Sequence, residues 1–366
     1  MMFFQAVGML CLISGVLAFL LTIADRWLND YGVCKISIND GDRELEVPGG
    51  SSLLSSLTAE HIFIPSACGG GGSCGLCKLK VLSGGGPVLA TEEPHLTTEE
   101  IKTNVRLSCQ LKVREDMRIE IPEELFRIRE YRARVAELRD LTHDIKLVRF
   151  ELIDPETIEF NPGAYIQLQS KPYAKSAESV YRAYSVASDP ADTHHLDLLI
   201  RLVPGGICTT WVFEHLKEGE EIRFNGPHGD FEIQDTDAEM IFIAGGSGMA
   251  PFRSILSEMK RTGNPRTCRY FFGAVSRRDM FYLDEMKQFE NDLPDFKFIP
   301  ALSAPEPDDK WDGETGLITE VVDRHYPDCS GKEAYLCGSP GMIDACIKVL
   351  TTNGMPEENI FYDKFA

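Results

Sequence analysis

The chain has 366 residues, enough for two or three domains, and its 43% hydrophobic and 26% charged content reads as globular, not disordered. A formal net charge of −20, from 37 basic and 57 acidic residues, argues against nucleic acid, whose phosphates such a surface repels. Eleven cysteines, an odd number in a long chain, argue against a disulfide-stapled secreted fold and favour a reducing compartment in which some thiols serve as ligands.

Residues 2–24 carry no charge, and their polar side chains are Gln5, Ser14 and Thr22. Such a stretch rises ~34 Å as a helix, enough for a bilayer core. No Lys or Arg precedes Arg26 and no clear small-residue cleavage site follows, so an uncleaved transmembrane helix is expected in preference to a signal peptide. Arg26 and Lys35 beyond it point to a cytoplasmic location for the rest of the chain.

Alternation in Cys34–Ile38 and Glu44–Val47 around the turn Asn39-Asp40-Gly41 predicts a hairpin, followed by a short helix. The stretch SACGGGGSCGLCKLKV, Ser66–Val81, leads into a strand at Lys78–Leu82. A glycine-rich loop, a helix near Thr97–Lys102 and a strand at Met117–Ile121 complete a small β-rich domain, taken as 33–125. Short strands at Arg132–Leu138, Ile145–Leu152, Tyr165–Gln169, Tyr184–Ala187, Leu196–Leu202 and Glu221–Asn225 predict an antiparallel barrel over 127–233. Over 238–366, strands alternate with helices: AEMIFIAGG, SILSEMKR, CRYFFGAV, MFYLDEMKQFE, FKFIPALS, AYLCGS and MIDACIKVLTTNG. That pattern predicts a parallel α/β sheet, so the fold class is multidomain, α+β and α/β.

The chemistry concentrates in a few stretches. Cys68, Cys74, Cys77 and Cys109 offer four thiolates, a set that can hold a [2Fe–2S] cluster. Glycines between them allow backbone N–H groups to approach the sulfurs. A zinc knuckle usually shows two close cysteine pairs, and here Cys74 and Cys77 form the single one. A disulfide runs against the reducing context. In RAYSVA, Tyr184 is suited to stack on an isoalloxazine ring, Ser185 to bond flavin N5 and Arg182 to pair with a diphosphate. In PGGICTTW, Gly205, Gly206, Thr209 and Thr210 are suited to cradle phosphate, against the plainer reading of an ordinary turn. In IFIAGGSGMAPF, Gly246, Gly248, Met249, Ala250 and Pro251 approximate a dinucleotide glycine loop, with Pro251 expected to open the helix. In YLCGSPGM, Cys337 and Gly338 end a strand where nicotinamide can sit; a buried structural thiol is the alternative for Cys337. His194 and His195 read as solvated turn residues, and His228 receives no role.

With these motifs in order, residues 33–366 resemble the ferredoxin–NADP reductase superfamily carrying an N-terminal [2Fe–2S] domain. The resemblance rests on RAYS, NGPHGDF, GGSGMAP, FGAVSRRDMFY, CGSPGM and the terminal FYDKFA. It implies a β-grasp-like ferredoxin domain, an FAD barrel and an NAD(P)H domain. It also implies catalytic roles for Ser185 and Cys337, and for Phe365 as the ring that shields the flavin. Within the superfamily the apolar N-terminus and SACGGGGSCGLCKLKVLSGGG resemble the F subunits of Na+-translocating NADH:quinone oxidoreductases. That implies NADH, FAD and a [2Fe–2S] cluster as cofactors. It also implies other subunits of a complex in the bacterial inner membrane as partners, and quinone as the complex's electron sink. The reductase component of an oxygenase shares the motif order and is the alternative. Three features depart from the pattern: the short KPYAKSAESVY before RAYS, Thr209 in place of the usual Ser, and Val275 where Arg is common. Arg277 and Arg278 nearby leave a 2′-phosphate, hence NADPH, open.

Overall fold

A computed structural model describes residues 8–9, 11–19 and 31–364. Two compact units are present: one from the N-terminal residues to Ile64 together with Gly70–Phe126, the other from Pro65–Gly69 together with Arg127 onward.

Residues 8–9 and 11–19 are helical (α1), and Met9, Leu12, Ile13, Val16, Leu17 and Phe19 are all exposed. Among the described residues no helix is long and apolar enough to cross a membrane. The transmembrane helix expected at 2–24 is therefore not shown. Part of the expected span lies outside the described residues.

In the first unit, β1 (Val33–Ile38) and β2 (Arg43–Pro48) form the expected hairpin. Its turn places Asn39 and Asp40 in the left-handed region, which short polar side chains tolerate. Then come α2 (Leu53–Ala59), β3 (Lys78–Ser83), α3 (Thr98–Lys102), β4 (Val105–Leu107) and β5 (Met117–Glu120). The sheet order is β2-β1-β5-β3-β4, with β1 and β5 parallel and the other pairs antiparallel. Cys34, Ile36 and Ile38 alternate inward and meet Leu53, Leu54 and Leu57 of α2 in one core. Ser52 caps α2 by accepting from the Ser55 N–H, satisfying an amide the helix leaves orphaned.

A buried ion pair ties down the glycine-rich loop of this unit. Arg106 is bonded to Glu92 and also donates to the carbonyls of Gly85, Gly86 and Pro87 at 2.7–3.0 Å. Both charges are almost fully buried. Burial alone raises the Glu92 carboxyl, but the Arg106 bonds and two backbone amides outweigh it and hold the group below its ordinary range.

In the second unit, β6 (Arg129–Asp140), β7 (Ile145–Asp154), β8 (Tyr165–Gln169), β9 (Tyr181–Ser185), β10 (His195–Arg201) and β11 (Glu221–His228) form an antiparallel sheet of order β10-β7-β6-β11-β8-β9. A bridge between Val186 and Leu198 brings its two edges together, which closes the sheet as a barrel and removes exposed edges. Between β10 and β11, α4 (Ile207–Glu214) follows the PGG turn, a helix that the sequence pattern does not signal.

The remaining strands, β12 (Glu239–Gly245), β13 (Cys268–Ala274), β14 (Phe296–Leu302), β15 (Glu314–Thr315), β16 (Lys332–Gly338) and β17 (Ile360–Lys364), are all parallel in the order β15-β14-β13-β12-β16-β17. The helices are α5 (Met249–Thr262), α6 (Leu283–Asp292), α7 (Ile318–His325) and α8 (Pro340–Thr352). Met240, Phe242 and Ala244 face α5 and α6, whereas Ile241 and Ile243 face α7 and α8. Burial on both faces explains why β12 reads as one unbroken apolar run. Some expected boundaries shift. α5 opens at Met249, with Pro251 inside the first turn, where its missing N–H costs nothing. α6 opens at Leu283, not Met280, because Tyr282 holds a left-handed backbone. β15, α7 and β17 carry no sequence signal strong enough to assign.

Candidate functional site

The cysteine loop is built for close backbone approach. Gly69, Gly70, Gly72 and Gly75 all have positive φ, between +63° and +90°. Backbone turns of this kind point N–H groups inward and form concave anion sites. None of the described cysteines forms a disulfide. Cys77 is fully buried at the start of β3, while Cys68, Cys74 and Cys109 are half-buried. The thiols of Cys77 and Cys109 share a hydrogen bond, which together with burial raises Cys77 far above its ordinary value. Gln110 Nε2 lies 3.5 Å from Cys109 Sγ. Among the described residues no three His, Cys, Asp or Glu side chains are gathered tightly enough to hold a single metal ion. A [2Fe–2S] cluster makes a different demand, because its ligands are shared between two irons. A neighbouring thiol pair, an amide donor to sulfur and a glycine cradle fit that demand.

The flavin motif lies on β9. Arg182 donates to the Tyr181 carbonyl at 2.7 Å. Tyr184 lies against Cys208 in the first turn of α4, and burial raises its phenol well above the ordinary range. The motif strand and the phosphate turn, far apart in sequence, are thus neighbours. Gly206 is the N-cap of α4, and Gly205 has φ +78°. The Thr209 hydroxyl is 7% exposed at the residue level and turns back on the loop, accepting from the Val203 N–H at 3.2 Å.

At the carboxyl edge of the parallel sheet three side chains converge. Ser185, at the end of β9, donates to Asp363 Oδ2 at 3.3 Å. Asp363 on β17 is in register with Cys337 on β16. Burial raises the Asp363 carboxyl above its ordinary range, and the Ser185 bond only partly offsets this. Burial, and secondarily the Asp363 charge, also pushes the Cys337 thiol far up, so it is held as a neutral thiol. Gly248 packs on this edge so closely that a Cβ there would sit 2.2 Å from the Cys337 carbonyl oxygen. Only glycine permits that approach. Gly246 turns with φ +57°, Met249 and Ala250 are buried behind it, and Gly338 follows Cys337. Phe365 lies outside the described residues.

Sequence reading missed several residues. Asp363 sits in FYDKFA, a stretch singled out for its aromatic end and not for its acid. Asp197, 1% exposed, takes both Arg149 nitrogens at 2.7 and 2.8 Å and Arg253 at 3.0 Å. Arg253 also holds Glu285 and the Ala187 carbonyl. This network clamps α5, which carries the glycine loop, to the barrel. Arg201 reaches to 3.3 Å from the position a Gly246 Cβ would take, and is oriented by Asp144 at 2.7 Å. No local motif marks these residues, because their partners are tens of residues away. His228 is buried, stacked on Tyr165 and 2.6 Å from Asn225 Oδ1; burial lowers its pKa to about 3, so it stays neutral. His195 pairs with Asp192 at the start of β10, and His194 with the Glu156 carbonyl.

The family model described as a 2Fe-2S iron-sulfur cluster binding domain matches residues 36–114. The oxidoreductase FAD-binding domain matches 132–233, and the oxidoreductase NAD-binding domain 242–348. Domain content and site together define an iron–sulfur flavoprotein oxidoreductase with an NAD-binding domain. Among curated relatives, the F subunit of the Na(+)-translocating NADH-quinone reductase of Actinobacillus succinogenes is 37% identical over 408 aligned positions, covering 100% of this chain and 99% of the relative. The corresponding F subunit of Pseudomonas aeruginosa is 37% identical, covering 99% and 98%. The chain belongs to this family of F subunits. Among solved structures, the Amycolatopsis cytochrome P450 reductase GcoB matches with TM-score 0.72 at 28% identity, covering 91% of this chain and 98% of that one. The ferredoxin reductase of a carbazole 1,9a-dioxygenase matches with TM-score 0.70 at 26% identity, covering 92% and 99%.

Proposed function

We propose that this chain is the NADH-oxidising input component of a Na+-translocating quinone reductase. It works with other subunits of a complex in the bacterial inner membrane, and its folded domains lie on the cytoplasmic side. The observation that carries the reading is the convergence of Ser185, Cys337 and Asp363 beside Gly248. FAD, when bound, would supply two-electron chemistry toward NADH and one-electron chemistry toward a [2Fe–2S] cluster.

The chain's own residues prepare that exchange. Gly248 packs tightly on Cys337 at the carboxyl edge of β12 and β16, where an open α/β sheet binds its ligand. Arg201 supplies a cation above the glycine loop for the NADH diphosphate. Arg182 and the N-terminus of α4, with Gly205 and Gly206, would take the FAD diphosphate, and Tyr184 would pack on its ring system. Ser185 would present its hydroxyl toward the flavin, held in place by Asp363, which accepts that hydroxyl's hydrogen bond at 3.3 Å. Cys337 fills the nicotinamide end as a neutral, unreactive thiol. Cys68, Cys74, Cys77 and Cys109 would hold the cluster. Phe365, which lies outside the described residues, would by the resemblance of FYDKFA serve as the flavin's shield, and Phe365→Ala is then expected to speed loss of electrons to oxygen.

The apolar surface of α1, exposed on every described side chain, is suited to lipid and supports an N-terminal membrane anchor. The likeness to reductases of a P450 and a dioxygenase favours one alternative, an oxygenase reductase. One experiment separates the two. The full chain is expressed with its native N-terminus, membranes are fractionated, and NADH is added while flavin absorbance and the cluster EPR signal are followed. Membrane retention with both signals responding supports the proposal. Full release to the soluble fraction overturns the anchor, and absence of flavin bleaching overturns the NADH role.

A further inference from the structure

Ser108 precedes the fourth cysteine and has no exposed surface. Its backbone is held from both sides: its N–H donates to the Cys77 carbonyl at 2.8 Å, and its carbonyl accepts from the Leu54 N–H at 3.0 Å. The residue is therefore locked between the start of β3 and the first turn of α2. Its hydroxyl nevertheless finds no ordinary hydrogen-bond partner, although a buried hydroxyl left unpaired is costly. The group it neighbours is the Cys77 sulfur. Sulfur is a weak acceptor as a thiol and a much better one as a metal-bound thiolate. The orphaned donor is thus matched to a state in which Cys77 carries negative charge.

We propose that the Ser108 hydroxyl donates a hydrogen bond to the Cys77 sulfur when Cys77 ligates the cluster, and that this bond raises the cluster's reduction potential. The inference rests on the reading of Cys77 and Cys109 as ligands. One-electron reduction adds a negative charge to the cluster and its sulfur shell, and a fixed donor stabilises the more negative state more than the less negative one. Ser108 is a positioning and tuning residue, since it reaches the iron only through Cys77. Gln110, which reaches Cys109 from the half-exposed side, is its counterpart on the other sulfur of the pair.

The test is a redox titration of the full-length, cluster-loaded protein, read by EPR and visible absorption, for the parent, Ser108→Ala and Ser108→Thr. Removing the hydroxyl is expected to lower the reduction equilibrium constant about three- to tenfold, where tenfold is 59 mV for one electron. Ser108→Thr, which keeps the hydroxyl, is expected within about twofold of the parent, and the FAD couple is expected unchanged in both. An unchanged potential in Ser108→Ala overturns the proposal. So does an equal shift in Ala and Thr variants, which marks a steric effect, or loss of the cluster from Ser108→Ala with FAD retained, which marks a folding role. The ligand reading is tested apart from this. Cys77→Ser with a parental cluster spectrum refutes the ligands themselves, whereas an altered Cys77→Ser spectrum beside an unmoved Ser108→Ala potential refutes only the tuning bond.

Discussion

The cysteine loop and the Ser185–Cys337–Asp363 edge are built on opposite plans. Three of the four thiols lie within ten residues, and the conformation they need is written into the glycines between them. The second site has almost no local content: Ser185 and Asp363 meet at 3.3 Å across 178 residues of chain. A local site depends on backbone reach, and a distributed one depends on the sheets that bring its strands together. Mutations in the two should therefore fail differently.

The largest expected effect is at the local site. Cys77→Ser should abolish or recast the cluster EPR signal while NADH still bleaches the flavin, and simultaneous loss of both would erase the contrast. Next is Gly248→Ala, where the new Cβ meets the Cys337 carbonyl. The loop must shift, and a displacement of that kind can cost about 10²-fold in kcat/KM for NADH. An unchanged KM and kcat would show that the close approach is not used. Third is Glu92→Gln, which leaves Arg106 buried without its counter-charge. Breaking such a pair costs about 3–5 kcal/mol, read as a lower denaturation midpoint of the [2Fe–2S] unit with the flavin unit unaffected. Fourth, Ser185→Ala should slow flavin reduction about tenfold in stopped flow, the effect of one hydrogen bond of ~1.4 kcal/mol in the transition state, with cluster spectra unchanged.

The smallest effect concerns pH. The folded chain raises Asp363 above its ordinary 3.8, so it binds that proton more tightly than the unfolded chain does. The contribution of this group to stability is full below about that ordinary value and is lost as pH rises through the folded pKa. Asp363→Asn should therefore melt higher than the parent at pH 7 and converge with it near pH 4. A constant difference across that range would place the charge elsewhere.

Legibility followed the same divide. The β1–β2 hairpin, the barrel strands and β12 were readable because each carries its own period or turn. Arg182, Tyr184 and Gly248 could be proposed as site residues because they sit in compact motifs. Asp363, Asp197, Arg253, Arg201 and Ser108 could not, since each matters through a partner distant in sequence. α4 hid because its apolar residues face inward all round, Cys208, Trp211 and Val212 among them, leaving little amphipathic pattern.

By itself, then, the amino-acid order determined which chemistries the chain carries: thiolates spaced by glycine, a flavin strand, a nucleotide loop. These depend on covalent neighbours and on φ angles that only glycine adopts freely. Tertiary structure alone decided which acid stands behind Ser185, which arginines clamp α5 to the barrel and which hydroxyl is left facing Cys77. Burial strips water from these groups, so each must find its partner, or wait for one, in whatever the fold has placed beside it.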